Sequence, residues 1–152
     1  MGGIKTKNKT TKKLLFIVLG IIYLAFLIIS FFYEISTILQ LRTKNVIPSS
    51  NFVPFKTILN YILDFNHYNL STWLFNMIGN LLIFFPVGVL FPVIFNRINS
   101  YNHILYITIS MSLLIEISQY RASLGVFDID DIILGVTGSL IRFHLYLKSI
   151  KK

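Results

Sequence analysis

The chain of 152 residues is 55% hydrophobic and 13% charged, with a formal net charge of +8. Soluble domains carry about 25% charged residues, so this composition excludes an ordinary soluble domain and indicates a protein that lies in a bilayer. It also argues against nucleic-acid binding, because the basic residues gather beside apolar runs, as in membrane proteins. The absence of cysteine excludes disulfides, thiolate metal sites and a cysteine nucleophile.

The first predicted element is a membrane span at residues 14–33, LLFIVLGIIYLAFLIISFFY, which is uncharged. The stretch is long enough to cross about 30 Å of hydrocarbon. Residues 1–13 before it are basic and are predicted to form a cytoplasmic N-terminus. A cleaved signal peptide fits less well, because the apolar stretch is too long and no small-residue cleavage site follows it.

The second predicted element is a short helix inside the polar connection 34–71. In FVPFKTILNYILDF, apolar residues recur at helical spacing and polar residues lie mostly opposite them. The apolar positions are Phe55, Ile58, Leu59, Ile62 and Leu63. The pattern indicates either a helix that lies in the membrane interface or a loop helix packed on the spans, and the sequence leaves both open.

Three further spans are predicted at 72–95, 103–120 and 132–147, followed by a basic tail at 148–152. Pro86 removes a backbone hydrogen bond and should bend the second span. In lipid, such a break requires a neighbouring group to satisfy the freed carbonyl. The predicted fold is therefore all-α: a polytopic membrane protein with about four transmembrane helices and a short interfacial helix in the first outer loop.

The charge distribution predicts the orientation of these spans, since four spans place both termini on one side. The basic residues of that side are Lys5, Lys7, Lys9, Lys12, Lys13, Arg97, Lys148, Lys151 and Lys152. The basic residues of the other side are Arg42, Lys44, Lys56 and Arg121. The positive-inside rule then predicts a multi-pass protein of the cell membrane with both termini cytoplasmic.

Polar residues of different spans are predicted to meet in one layer near the outer membrane face. Two asparagines lie on one face of the second span, four residues apart, and a glutamate and a glutamine lie near the outer end of the third. The aspartates that open the fourth span lie at the same depth. A carboxylate in hydrocarbon costs roughly 2.5–3.5 kcal/mol, so the convergence predicts a polar ligand-binding pocket. The predicted ligand-binding residues are Asn76, Asn80, Glu116, Gln119, Asp128 and Asp131.

The same acidic residues also fit structural roles, which the sequence leaves open. Glu116 fits a hydrogen bond that joins two helices, and Asp128 fits the N-cap of the fourth span. Asp130 points away from the helix face that Asp128 and Asp131 share, so its side chain is expected to be solvated.

Three blocks of the sequence resemble the VanZ-like membrane proteins, known from glycopeptide-resistance clusters of Gram-positive bacteria. NFVPFKTI at 51–58 resembles the family's N-x-x-P-F segment, and NMIGNLLIFFPVGVLFP at 76–92 resembles its N-x-x-G-N-x-x-x-F-x-P-x-G segment. EISQ at 116–119 and GVFDIDDIILGVTG at 125–138 resemble its E-x-x-Q and D-x-D-D segments. The resemblance implies a VanZ-like transmembrane domain over 14–147 and a role in resistance to teicoplanin-like glycopeptides.

Two positions depart from the family pattern, and the sequence leaves their effect on function open. Gly135 stands where the family usually has asparagine, and Arg142 stands where it commonly has a small residue. From the residues themselves, Gly135 and Gly138 are expected to allow close helix packing. Arg142 is expected to extend towards the cytoplasm.

Three functions remain open at this point. The first is a non-enzymatic envelope protein whose polar pocket binds a lipid headgroup, a cell-wall precursor or a glycopeptide, and so reduces glycopeptide susceptibility. The second is an intramembrane enzyme that acts on a lipid or cell-wall precursor through a metal ion held by carboxylate and amide oxygens. The third is a small helical scaffold subunit. Membrane lipids are expected partners, and the absence of a nucleotide loop or other cofactor motif predicts no cofactor.

Overall fold

The computed structural model describes residue 11 and residues 13–30, 50–121 and 126–151. Its helices are α1 (Lys13–Ser30), α2 (Lys56–Leu63), α3 (Leu70–Trp73), α4 (Asn80–Ile83), α5 (Val87–Ile94), α6 (Tyr101–Arg121) and α7 (Ile129–Ile150). A short 3₁₀ segment, Phe65–His67, follows α2, and a π-helical segment, Leu74–Gly79, joins α3 to α4. The predicted all-α fold is confirmed across these ranges.

The predicted number of membrane spans is not confirmed. By length and hydropathy, two of the described helices are candidate spans: Lys13–Ser30 and Asn76–Ile94, which contains α4 and α5. The helices predicted at 103–120 and 132–147 are present as α6 and α7, but they are not among these candidates. Most of the basic N-terminus, the end of the first predicted span (31–33) and the first part of the loop (34–49) lie outside the described residues.

The second candidate span is broken beside Pro86, as the sequence predicts. Helix α4 ends at Ile83, α5 begins at Val87, and the Val87 N–H donates to the Phe84 carbonyl (3.1 Å) across the turn between them. The Ile83 carbonyl accepts a hydrogen bond from the Tyr23 hydroxyl of α1 (2.7 Å). Tyr23 is thus the neighbouring group that satisfies backbone released at the break, as a spanning helix requires.

Helix α6 buries polar side chains and exposes apolar ones. Its buried residues recur at helical spacing: Ile104, Thr108, Ser112, Glu116 and Gln119. On the opposite side, Tyr106 and Leu114 are 64 and 66% exposed. Water-soluble proteins show the reverse distribution, with apolar side chains inside. The polar side of α6 faces the rest of the protein and places Glu116 towards α7.

Helix α7 packs closely on α4 and α5 because glycine lies at both contacts. A Cβ added at Gly138 would overlap the Leu81 carbonyl oxygen, and one added at Gly88 would overlap the Ser139 carbonyl oxygen. The prediction of close packing at Gly138 is therefore confirmed. On its other side, α7 is joined to α6 by a buried hydrogen bond from the Thr108 hydroxyl to Ser139 Oγ (2.9 Å).

Candidate functional site

Asp130 attaches α2 to the start of α7. Its side chain is completely buried; Oδ1 accepts from the Phe55 N–H, and Oδ2 accepts from the N–H groups of Thr57 (2.7 Å) and Ile58 (3.1 Å). The first N–H groups of a helix lack partners within it and favour a negative charge, and α2 has no side-chain cap of its own. The prediction that Asp130 is solvated is wrong, because its partners come from a distant part of the chain.

Asp128 binds the same segment of chain from the other side. It is the N-cap of α7, the structural role that the sequence left open for it, and its Oδ1 accepts from the Asp130 N–H (2.9 Å). The same carboxylate accepts from Asn51 Nδ2 (2.9 Å) and from the Thr57 hydroxyl (2.7 Å). A parallel backbone bridge also joins Asn51 to Asp128. Residues 51–58, which we call the 51–58 segment, are therefore held to α7 by two carboxylates and by backbone.

The backbone of the 51–58 segment is strained at Phe55. Phe55 adopts φ 67°, in the left-handed region, which costs a non-glycine residue of order 1–3 kcal/mol. Its side chain is 53% exposed, so the hydrogen bond from its N–H to Asp130 holds this conformation more than side-chain packing does. Strained residues of this kind cluster at binding and switch sites, which makes the segment part of the candidate site.

The amide and acid side chains predicted to share one depth lie together at the start of α7. Asn80 Nδ2 of α4 donates to Asp131 Oδ1. Glu116 of α6 is buried, and its Oε2 accepts from the Asp128 N–H (3.0 Å). This hydrogen bond joins α6 to the start of α7, which is the structural role that the sequence left open for Glu116. That these residues also bind a ligand stays a prediction.

The two remaining predicted residues, Asn76 and Gln119, lie one helical turn from Asn80 and from Glu116, respectively. Asn76 is half-buried within the π-helical segment Leu74–Gly79, just before Asn80. Short π-helical segments occur frequently at functional sites. Gln119 is buried on α6, one turn after Glu116. We call Asn76, Asn80, Glu116, Gln119, Asp128 and Asp131 the polar layer.

Tyr61 of α2 lies close to the polar layer, although sequence reasoning did not select it. Burial raises the pKa of the half-buried Tyr61 phenol above its ordinary value, with smaller contributions from the charges of Tyr68, Asp131 and Asp128. The Trp73 indole N–H donates to the Tyr61 carbonyl (3.0 Å) and so links α2 to α3. The helix pattern drew attention to the apolar face of α2, so this half-buried aromatic residue was missed.

Asn51 and Thr57 were also missed as individual residues of the site. Both lie in the block NFVPFKTI, whose polar residues were not assigned individual roles from the sequence. Asn51 is buried, donates to Asp128 and Thr57, and accepts from the Val53 N–H (3.0 Å). An asparagine shortly before a proline is the sequence signal that could have identified it, because asparagine side chains in turns accept from the backbone two residues on, as Asn51 does from the Val53 N–H.

The two residues that depart from the family pattern, Gly135 and Arg142, both lie beside aromatic rings of the second candidate span. A Cβ at Gly135 would lie 2.5 Å from Cδ2 of the buried Phe84 ring, so the ring occupies the space beside this glycine and the packing prediction is confirmed. The Arg142 guanidinium carbon lies 5.8 Å from the centroid of the Phe85 ring, beside the break in the second candidate span. That Arg142 extends towards the cytoplasm stays a prediction, since the contact with Phe85 does not define a membrane side.

The surroundings of Arg142 only partly offset the cost of its charge. On insertion scales, an arginine at the centre of a membrane helix costs roughly 2.5–3.5 kcal/mol, and Arg142 is half-buried among apolar side chains. Contact with an aromatic face returns about 0.5–2 kcal/mol, depending on desolvation. Arg142 lines an open groove of about 530 Å³ whose other walls are α1 and α5.

In the ranges that the structure describes, no group of three or more His, Asp or Glu side chains is arranged to hold a metal ion. The oxygens of Asp128 and Asp130 already accept hydrogen bonds from Asn51, Thr57 and backbone N–H groups. Asp131 is half-buried and accepts a hydrogen bond from Asn80.

Comparison with known proteins yields one informative match. No curated protein and no solved structure matches the chain significantly. The family described as VanZ/LLP1 matches over residues 14–151, which extends from α1 to the end of α7. This match and the two apolar helices indicate a membrane protein. Since the match covers nearly the whole chain, the protein belongs to the VanZ/LLP1 family.

Proposed function

We propose that the chain is a polytopic protein of the bacterial cell envelope whose polar layer faces outward and binds a polar ligand. By binding a lipid headgroup, a cell-wall precursor or the glycopeptide itself, the protein reduces susceptibility to teicoplanin-like glycopeptides. The observation that carries this proposal is the contact between Asn80 and the half-buried Asp131, at a layer bordered by α2.

Four crossings of the membrane are part of the proposal. Helices α6 and α7 contain 21 and 22 residues, or about 31 and 33 Å at 1.5 Å per residue, against about 30 Å of hydrocarbon. Helix α7 packs directly on α5, a part of the second candidate span, and α6 packs on α7. The exposed apolar side chains of α6 also favour contact with lipid over contact with water.

Helix α2 is proposed to lie in the outer interface. It has no buried residue, and its apolar side chains Leu59, Ile62 and Leu63 are 49, 55 and 77% exposed. These side chains therefore do not pack on the other helices, which supports the interfacial alternative over the packed one. Anchored by Asp130, α2 borders the polar layer at its outer side.

The chemistry of the layer favours a ligand that carries an amine or several hydrogen-bond donors. Asp131 supplies negative charge, Asn80 and Asn76 supply amides, and Tyr61 supplies an aromatic ring with a hydroxyl. Carboxylates and aromatic faces both attract an ammonium group. Amines of this kind occur in phospholipid headgroups and in cell-wall peptides.

The topology can be tested with single cysteines, since the chain has none of its own. We expect a membrane-impermeant maleimide to label Asn66→Cys on intact cells. Ser149→Cys should be labelled only after the membrane is permeabilised. Labelling of Ser149→Cys on intact cells would contradict the proposed orientation.

The function can be tested by teicoplanin susceptibility of Gram-positive cells that express the protein. Wild type should raise the minimal inhibitory concentration, and Asp131→Asn should abolish the increase at equal expression. The matched control is Asp64→Asn, an exposed carboxylate at the end of α2, which should behave as wild type. Equal protection by wild type and Asp131→Asn would refute the role of the polar layer.

A further inference from the structure

We propose that the groove beside Arg142 binds an anionic phospholipid, with the lipid phosphate at the guanidinium and an acyl chain along α1. The groove has a volume of about 530 Å³. Its walls include Phe16, Leu19 and Phe26 of α1, together with Phe85 and Val89 of the second candidate span and Arg142 of α7. This site is separate from the polar layer and does not depend on the proposed function.

The groove lies between two candidate membrane spans, so its occupant should come from the lipid phase. Its apolar walls belong to Lys13–Ser30 and Asn76–Ile94, the two helices long and apolar enough to cross a membrane. From Phe16 to Phe26 the wall on α1 extends for about 15 Å along the helix axis. A groove between two such helices opens to lipid, so a lipid chain is the apolar group available to fill it.

The charge of Arg142 selects the lipid headgroup. Arg142 is half-buried among apolar and aromatic side chains. The nearest aspartate along its own helix, Asp131, precedes it by about 16 Å of helix rise and is bound to Asn80. Guanidinium groups bind phosphate through two parallel hydrogen bonds, and the Arg142 guanidinium lies at the wall of the groove, beside the Phe85 ring.

A second copy of the chain is a poorer occupant than an anionic lipid. In a two-fold dimer, the same surface of both copies forms the contact, so a second Arg142 would approach the first. The contact would then bring two cations together in an apolar groove and supply no anion. A zwitterionic lipid would fill the apolar part of the groove but would leave the guanidinium without a net counter-charge.

The test is retention of defined lipids by the purified protein, measured by native mass spectrometry. The probes are phosphatidylglycerol and phosphatidylcholine with identical acyl chains. Wild type should bind phosphatidylglycerol more tightly than phosphatidylcholine. Arg142→Gln should weaken phosphatidylglycerol binding by about tenfold or more, as expected for one lost charge-assisted contact, and Arg142→Lys should weaken it less.

Two further variants make the test decisive. Lys148→Gln removes an exposed cation from the same helix and should leave the lipid preference within about twofold, because exposed charges contribute little. Val89→Trp narrows the groove without changing its charge and should also weaken phosphatidylglycerol binding. Equal binding of the two lipids by wild type, unchanged binding by Arg142→Gln, or a dimer that excludes lipid from the groove would each overturn the proposal.

Discussion

Replacing Asp130 with asparagine should weaken the attachment of the 51–58 segment to α7. The carboxylate of Asp130 accepts three backbone hydrogen bonds, two of them at one oxygen. An amide keeps one oxygen and turns an NH₂ group towards a backbone N–H, so at least one hydrogen bond is lost. The others then lose the contribution of the negative charge.

The size of the effect follows from typical hydrogen-bond energies. A hydrogen bond to a charged group contributes about 1.5–3 kcal/mol, and a neutral one about 1 kcal/mol. One lost bond and two weakened ones together amount to about 3 kcal/mol of local stability. Since 1.4 kcal/mol corresponds to a factor of ten, local opening of α2 should become about a hundredfold more frequent.

The assay is hydrogen–deuterium exchange, read by mass spectrometry on the protein in lipid nanodiscs. Amides of α2 should exchange about a hundredfold faster in Asp130→Asn, whereas those of α6 should keep their protection. Asp64→Asn is the matched control and should leave the exchange of α2 within about twofold, because its carboxylate is exposed. Unchanged exchange of α2 in Asp130→Asn would show that the carboxylate does not hold this helix.

Three further predictions concern packing and ionisation. Gly88→Ala should lower the free energy of unfolding in detergent by about 1–3 kcal/mol through overpacking. Gly79→Ala is the control and should not, because its Cβ would meet nothing within 4 Å. Equal melting temperatures of the two variants would contradict the close packing at Gly88. Thr108→Val should lose the buried interhelical hydrogen bond and about 0.6 kcal/mol, with Thr137→Val, an exposed hydroxyl bonded within its own helix, as control. Because burial raises the pKa of Tyr61 in the folded protein, its contribution to stability is fully present below the ordinary tyrosine pKa of 10.0 and is lost as pH rises through the folded pKa. An alkaline absorbance titration, compared with Tyr61→Phe, should show one phenol that ionises at higher pH than free tyrosine.

The helices and their approximate ends were predictable because hydropathy is a local property. Residues 103–120 and 132–147 appear as α6 and α7, and the break beside Pro86 lies where the chain loses a backbone donor. The level that the polar residues share was also predictable. Alternating helix directions bring the start of the second predicted span, the end of the third and the start of the fourth to one level, and Asn80 indeed contacts Asp131.

Other features depended on contacts between distant parts of the chain. The partners of Asp130 precede it by 72 to 75 residues, and no periodicity links the two regions. The contact of Arg142 with Phe85 likewise depends on how α7 and the broken span lie side by side. Hydropathy and charge specify where a residue lies along the membrane normal, whereas its neighbours within that level depend on lateral helix packing, which only the folded chain defines.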